Sequence, residues 1–268
     1  MSVRKAIFIS GGASGIGRAV AQRFAGEGWF VGLGDVDEAG MAETQGLIGS
    51  GFSYAHRLDV RDRAKWDEAL KSFATAAGGR IDVLINNAGI GGNGVLHEMP
   101  VEELDRTLDI NLRGMFYGAQ AAFPFLRDTA PGSCLLNTAS AAGIMGNAGM
   151  SVYCATKFGV RGMTESLDAE WAQYGIRVAS LCPSFIDTPL LDGTGTSTSN
   201  EAIRDKVTRA GLEITPVAAV ADAAWAALTD DRLHYPIGKT ARRLDLMKRF
   251  LPGSARKLAR RGARNMTR

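Results

Sequence analysis

One stretch near the start restricts what this chain can fold into more than any other. Ala6-Ile7-Phe8-Ile9 is apolar throughout and runs into Ser10-Gly11-Gly12-Ala13-Ser14-Gly15-Ile16-Gly17, after which residues 18–27 follow a helical pattern. An unbroken apolar run of this length suits a strand buried on both faces, as in a parallel sheet. Parallel strands need a crossover, so strand, tight turn and helix together commit the chain to alternating α/β layers. The glycines let the backbone turn sharply and let a pyrophosphate approach the free N–H groups at the start of the helix. The plainer version of the same pattern is a tight turn with no ligand.

The alternation continues. Apolar runs at 30–33, 53–58, 81–85, 133–137 and 176–182 read as further strands, and 235–238 as a short edge strand. Helical patterns occupy 61–76, 101–127, 152–174 and 217–228. The expected fold is a single-domain α/β sheet of the doubly wound Rossmann type, about seven parallel strands flanked by helices. Apolar residues make up 46% of the 268, enough for a sizeable core. No run approaches the ~18 residues of a membrane span. The N-terminus shows no secretory pattern. Cys134, Cys154 and Cys182 are scattered, and His56, His97 and His234 sit near no ligand cluster. That argues against a disulfide frame or a metal site and for a reducing, cytoplasmic setting.

Several residues carry chemistry by position. Asp35 ends the second strand about 20 residues beyond the glycines, where a carboxylate accepts from an adenosine ribose and repels a 2′-phosphate. Val36 supplies no cation, so NAD is expected over NADP. The Asp59 carboxylate can accept from an adenine amino group; its structural alternative is capping the helix over 61–76. Asn111 lies inside a helical pattern, where its amide competes for backbone partners, distorts the helix and binds water. Tyr153 and Lys157 are four apart on one helix face, and an ammonium beside a phenol lowers its pKa from about 10 toward the range of a working acid/base. Alone, such a pair is more often an exposed face.

Taken together, these motifs are similar to those of the short-chain dehydrogenase/reductase family, over about residues 5–188 and more loosely to 238. The family's T-G-x-x-x-G-x-G stands as Ser10 to Gly17 with Ser for Thr, its N-N-A-G as Asn86 to Gly89, and its Y-x-x-x-K as Tyr153 to Lys157. Its serine falls at Ser140 and its helix asparagine at Asn111. Pro183-Ser184 replaces the family's Pro-Gly, which fits only where the backbone needs no positive φ. The resemblance implies an NAD(P)-dependent alcohol dehydrogenase or ketone reductase with Asn111, Ser140, Tyr153 and Lys157 as its catalytic set. It implies cofactor contacts from Gly11, Ser14, Gly15, Ile16, Gly17, Asp35, Asp59, Val60, Asn87, Ala88, Gly89, Tyr153, Lys157, Pro183, Ile186 and Thr188. Alternatives are an NADP-dependent carbonyl reductase and a dinucleotide-sensing regulator without chemistry. The family also implies a homotetramer or homodimer.

The substrate side is expected to draw on the loop after Gly89, on 140–150 and on 185–215. Ile144, Met145, Met150, Phe185, Leu190 and Leu191 supply apolar lining for a hydrophobic or aromatic secondary alcohol or ketone. Residues 193–200 have almost no apolar content and read as a mobile loop over the strand ends. The division expected is a dehydrogenase domain over 1–240 and a basic extension over 241–268. From Arg232 to Arg268 there are twelve Lys/Arg and one acid, Asp245. Leu244, Met247, Phe250 and Leu251 recur among these cations at helical spacing, a basic amphipathic pattern. Docking of its apolar stripe on the chain's own domain is the favoured reading, ahead of peripheral membrane contact; nucleic acid is disfavoured for want of a recognition fold.

Overall fold

The computed structural model describes residues 4–92, 94–196 and 199–264. Strand β1 (Ala6–Ser10) leads through the glycine turn into α1 (Gly15–Gly26), and β2 (Phe30–Asp35), α2 (Glu38–Ile48) and β3 (Ser53–Arg57) complete the first half. The second half carries α3 (Arg63–Ala76), β4 (Val83–Asn86), α4 (Val101–Leu108), α5 (Gly114–Asp128), β5 (Cys134–Thr138), α6 (Ser151–Trp171) and β6 (Arg177–Pro183). Beyond it lie a small hairpin of β7 (Thr194–Thr196) and β8 (Ser199–Ala202), α7 (Ile203–Arg209), α8 (Ala218–Ala226) and β9 (His234–Ile237). Helices α9 (Lys239–Phe250) and α10 (Pro252–Arg264) end the described chain.

Seven strands form one parallel sheet in the order β3-β2-β1-β4-β5-β6-β9. This is the doubly wound Rossmann arrangement, and its winding reverses between β1 and β4, the place where such sheets open a ligand crevice. Strand alternation divides the core. Ile7 and Ile9 of β1 point into one apolar cluster with Val20, Phe24 and Val31, while Ala6 and Phe8 point into another with Trp66, Phe73 and Leu84. Gly32 in β2 makes room for the second cluster: a Cβ there would lie 2.5 Å from Phe8 and 2.6 Å from Phe73.

The structure bears on three of the sequence readings. The helical pattern over 101–127 is broken by a π turn at Asp109–Arg113 between α4 and α5, with Asn111 fully buried at its centre. Asp59 does not cap α3; Asp62 does, accepting from the N–H groups of Ala64 and Lys65. The loop expected at 193–200 contains paired strands, Thr194 opposite Ala202 and Thr196 opposite Ser199; residues 197 and 198 lie outside the described residues. Arg204 at the start of α7 pairs with Asp187 at 2.7 Å and Asp192 at 2.6 Å, on the chain that precedes this segment. No helix among the described residues is long and apolar enough to cross a membrane.

Candidate active site

The carboxyl ends of β1, β2, β4, β5 and β6 surround a cavity of about 420 Å³. Gly11, Gly15 and Ile16 form its floor. Gly11 (φ +72) and Gly15 (φ +51) take backbone conformations that side-chain-bearing residues rarely adopt. A Cβ on Gly11 would lie 2.9 Å from the Cα of Ala88. Gly17 does not line the cavity; its hydrogen faces the Gly11 carbonyl, and a Cβ would come within 2.0 Å of that oxygen. Ser14 precedes α1 without capping it, and no acid occupies the first turn. The positive end of α1 is therefore open toward the cavity.

Ser10 braces the turn against β4. Its hydroxyl accepts the N–H groups of Asn87 (3.0 Å) and Ala88 (3.1 Å), and the Asn87 amide donates back to the Ser10 carbonyl at 3.1 Å. Thr138 at the end of β5 donates its hydroxyl to Asn87 Oδ1 at 3.2 Å. Asp35 is fixed at the tip of β2 by the N–H groups of Ala13 and Asp37, each at 3.1 Å. Asp59 lines the same end with Val60, and the Arg61 fork grips its carboxylate at 2.6 to 3.1 Å, holding it below the usual carboxylate range.

Opposite the floor stand Ser140, Tyr153 and Lys157. Lys157 is 4% exposed. Its ammonium donates to the Thr138 carbonyl at 2.9 Å and lies 5.6 Å from the centre of the Tyr153 ring. Gly143 lets the turn after Ser140 pack closely on α6, since a Cβ there would meet the Lys157 backbone carbonyl at 2.5 Å. Burial pulls the Lys157 ammonium down to about 8. Burial also pushes the Tyr153 phenol above its ordinary range, and a hydrogen bond with the Ser140 hydroxyl pulls it partly back. The lowered phenol expected from the sequence is thus not found in the chain alone: burial disfavours the phenolate more than the Ser140 hydrogen bond supports it. The Ser140 hydroxyl accepts the Ala142 N–H at 3.1 Å.

Asn111 stands behind this row, outside the cavity lining. Its side chain accepts from the Ile90 N–H and donates to the Ile90 carbonyl, both at 2.8 Å. Both ends of the amide are spent on the backbone after Gly89, so the side chain fixes that loop. Thr188 closes the cavity over Gly15, whose added Cβ would lie 3.3 Å from the Thr188 methyl. Pro183 and Ile186 line the same wall. Ser184 is accommodated without strain: every positive φ among the described residues belongs to glycine. Its N–H and hydroxyl both donate to the Ile237 carbonyl, at 3.0 and 3.1 Å.

Of the sequence candidates, all but Gly17 and Asn111 line the cavity. Leu190 and Leu191 line it as well, but Ile144, Met145, Met150 and Phe185 do not, and Ile144 belongs to a core cluster with Met115, Val160 and Cys182. Sequence reasoning gave no site role to Thr138 or Arg106. Thr138 was the findable one, as the last strand residue before Ser140.

The cradle fits a dinucleotide: glycines with no room for a Cβ, an uncapped helix start, and a carboxylate fixed at the neighbouring strand tip. A family model described as short chain dehydrogenase matches residues 5–198. The chain is 40% identical over 185 residues, 69% of its length and 73% of the relative's, to a 2-dehydro-3-deoxy-L-rhamnonate dehydrogenase (NAD(+)) of Sphingomonas sp. strain SKA58. It is 38% identical over 191 residues, 71% of its length and 72% of the relative's, to a 3-alpha-(or 20-beta)-hydroxysteroid dehydrogenase of Mycobacterium tuberculosis. Among solved structures, a 3-ketoacyl-(acyl-carrier-protein) reductase from Brucella melitensis complexed with NADH matches with a TM-score of 0.79 at 28% identity, covering 90% of this chain and all of that one.

Proposed function

The chain belongs to the short-chain dehydrogenases, oxidoreductases of alcohol and ketone substrates that use a nicotinamide cofactor, and we propose that it is an NAD-linked enzyme acting on a hydrophobic or aromatic secondary alcohol or ketone. The observation that carries this reading is the row of Ser140, Tyr153 and Lys157 along one wall of a cavity whose floor is the glycine turn.

The nicotinamide, when bound, supplies the hydride acceptor or donor. The rest falls to side chains. Ser140 donates its hydroxyl to the substrate oxygen, where charge develops as the carbon–hydrogen bond breaks or forms. Tyr153 takes the proton from that oxygen in oxidation and returns it in reduction. Lys157, already close to the phenol, lowers the cost of the phenolate and binds the nicotinamide ribose hydroxyls. Asn111, its amide spent on the Ile90 backbone, holds the loop after Gly89 in place beside Lys157. Gly11, Ser14, Gly15 and Ile16 take the pyrophosphate, with Gly17 keeping α1 close to the turn. Asp59 and Val60 take the adenine; Asn87, Ala88 and Gly89 take the ribose side; Pro183, Ile186 and Thr188 orient the nicotinamide ring.

NAD over NADP rests on the Asp35 carboxylate, whose charge repels a 2′-phosphate. Arg18 is no counterweight, because the Ala13 and Gly40 carbonyls and Glu43 already engage it. Comparing kcat/KM for the two cofactors should show NAD ahead; an NADP preference would remove Asp35 from this role. The exposed Leu190 and the apolar Leu191 beside it support a hydrophobic substrate. A shallow apolar groove on α5 and α6, including Phe116 and Tyr174, supports a homodimer or homotetramer. Three buried cysteines without disulfides support a cytoplasmic location.

Tyr153→Phe tests the proton-transfer role. Turnover should fall by on the order of 10³-fold while NAD affinity changes little. Wild-type kcat in that variant, on a substrate found by following NADH absorbance, would remove Tyr153 from the mechanism.

A further inference from the structure

Helix α9 docks on the rest of the chain and α10 packs against α9, each burying a small side chain. Ala241 is 0% exposed and Ala255 is 2% exposed. Leu244 reaches the cluster of Ile144, Val160 and Cys182. Directly opposite, helical spacing puts Arg242, Arg243, Leu246, Arg249 and Phe250 on one outward face of α9. The large apolar members are open: Leu246 is 59% exposed and Phe250 is 66% exposed, with exposed Leu251 next in the chain and exposed Leu258 on α10. The cations around them lack acidic partners, and Arg249 lies over the neighbouring Phe250 ring, 5.5 Å from its centre. Among the described residues, no carboxylate pairs with Arg242, Arg243, Lys248, Arg249, Arg256 or Arg260. The docking expected from the sequence therefore holds for Leu244 but not for Phe250 and Leu251, the other end of the same stripe.

We propose that this outward face of α9 and α10 binds the surface of an anionic phospholipid bilayer. The chemistry is matched on both counts. Leucine and phenylalanine side chains enter the boundary between headgroups and acyl chains, while the surrounding guanidinium and ammonium groups meet the lipid phosphates and carboxylates. A second copy of the chain fits poorly, because a symmetric contact would bring two unpaired cationic faces together. Nucleic acid meets the charge but offers nothing to Leu246, Phe250 and Leu251.

The test uses the full chain and vesicles of phosphatidylcholine with or without phosphatidylserine, followed by co-sedimentation. The wild type should pellet with the phosphatidylserine vesicles at low salt and be released at high salt. Leu246→Ser/Phe250→Ser and Arg242→Gln/Arg249→Gln should each weaken the partition by about tenfold or more, with circular dichroism and NAD binding unchanged. Wild type that stays in the supernatant at low salt overturns the proposal. So does pelleting that neither double variant reduces. A dimer that forms through this face in analytical ultracentrifugation, and dissociates in Leu246→Ser/Phe250→Ser, assigns the face to a second copy instead. Binding of a DNA duplex that this apolar variant retains in full, with no vesicle binding, assigns it to nucleic acid.

Discussion

The strand-end crevice and the outward face of α9 and α10 are both rich in polar groups, but they are held in opposite ways. In the crevice, apart from the uncapped start of α1, the polar side chains are tied to one another and to the backbone. Asn87, Ser10, Thr138 and Lys157 form one connected set of hydrogen bonds, and the glycines leave no spare volume beside them. On the tail beyond Lys239, no carboxylate pairs with the described Arg242, Arg243, Lys248, Arg249, Arg256 or Arg260, and the largest apolar side chains face outward. The crevice is specified atom by atom, the tail only by the balance of its two faces. Substitutions should therefore be felt steeply in the first and hardly in the second. Gly17→Ala gives the largest difference. Its methyl would lie 2.0 Å from the Gly11 carbonyl, and the shift that relieves this moves the turn itself. We expect a loss of about 3 kcal/mol in urea unfolding, the upper end of overpacking costs, together with loss of measurable NAD binding. A variant of native stability and affinity would show that the turn is softer than its packing implies.

The crevice also carries a cost of its own making. Lys157 has an ordinary ammonium pKa near 10.5 when unfolded and about 8 in the folded chain. Between those values the unfolded state binds a proton that the folded state has released, so stability rises with pH. Below pH 8 both states hold the proton and the folded chain bears the full penalty of burying it. From about pH 7 to pH 9 the cofactor-free chain should gain about 1 kcal/mol from this group. Lys157→Met should remove that part of the slope in urea titrations at the two pH values. A slope unchanged in the variant would mean that the ammonium is better solvated than its 4% exposure suggests.

That penalty was invisible in the sequence, although the residues were not. Spacing alone placed Tyr153 and Lys157 on one helix face and the glycine turn at the head of the sheet, because both are local consequences of helix and strand geometry. The Asn111 distortion was legible too, since an interior asparagine needs backbone partners and finds them in Ile90. What failed depended on depth and on competition between neighbours. The phenol was expected to be lowered by its lysine, but burial opposes the phenolate more strongly. Asp59 and Asp62 are equally good caps by type, but the helix opens at Arg63, so Asp62 caps it and Asp59 pairs with the Arg61 fork. Ile144 looked like pocket lining and proved to be core, because pattern reports that a residue is buried and not which cavity it faces. In the tail, Pro252 opens a second helix where one was expected.

The smallest effect sharpens the comparison most. Leu246 and Phe250 lie opposite the docked face and make no use of the domain beneath it, where α9 is held by Ala241 and Leu244. If so, Leu246→Ser/Phe250→Ser removes no buried contact. Serine costs a few tenths of a kcal/mol in helix propensity at each site, and exposed substitutions usually stay within about 0.5 kcal/mol. Urea midpoints of variant and wild type should therefore agree to within about 1 kcal/mol for the pair. A loss of more than about 2 kcal/mol would mean that these side chains are packed in solution, against the domain or against another molecule that stays bound. The tail would then be held as tightly as the crevice, and the contrast between the two regions would be gone.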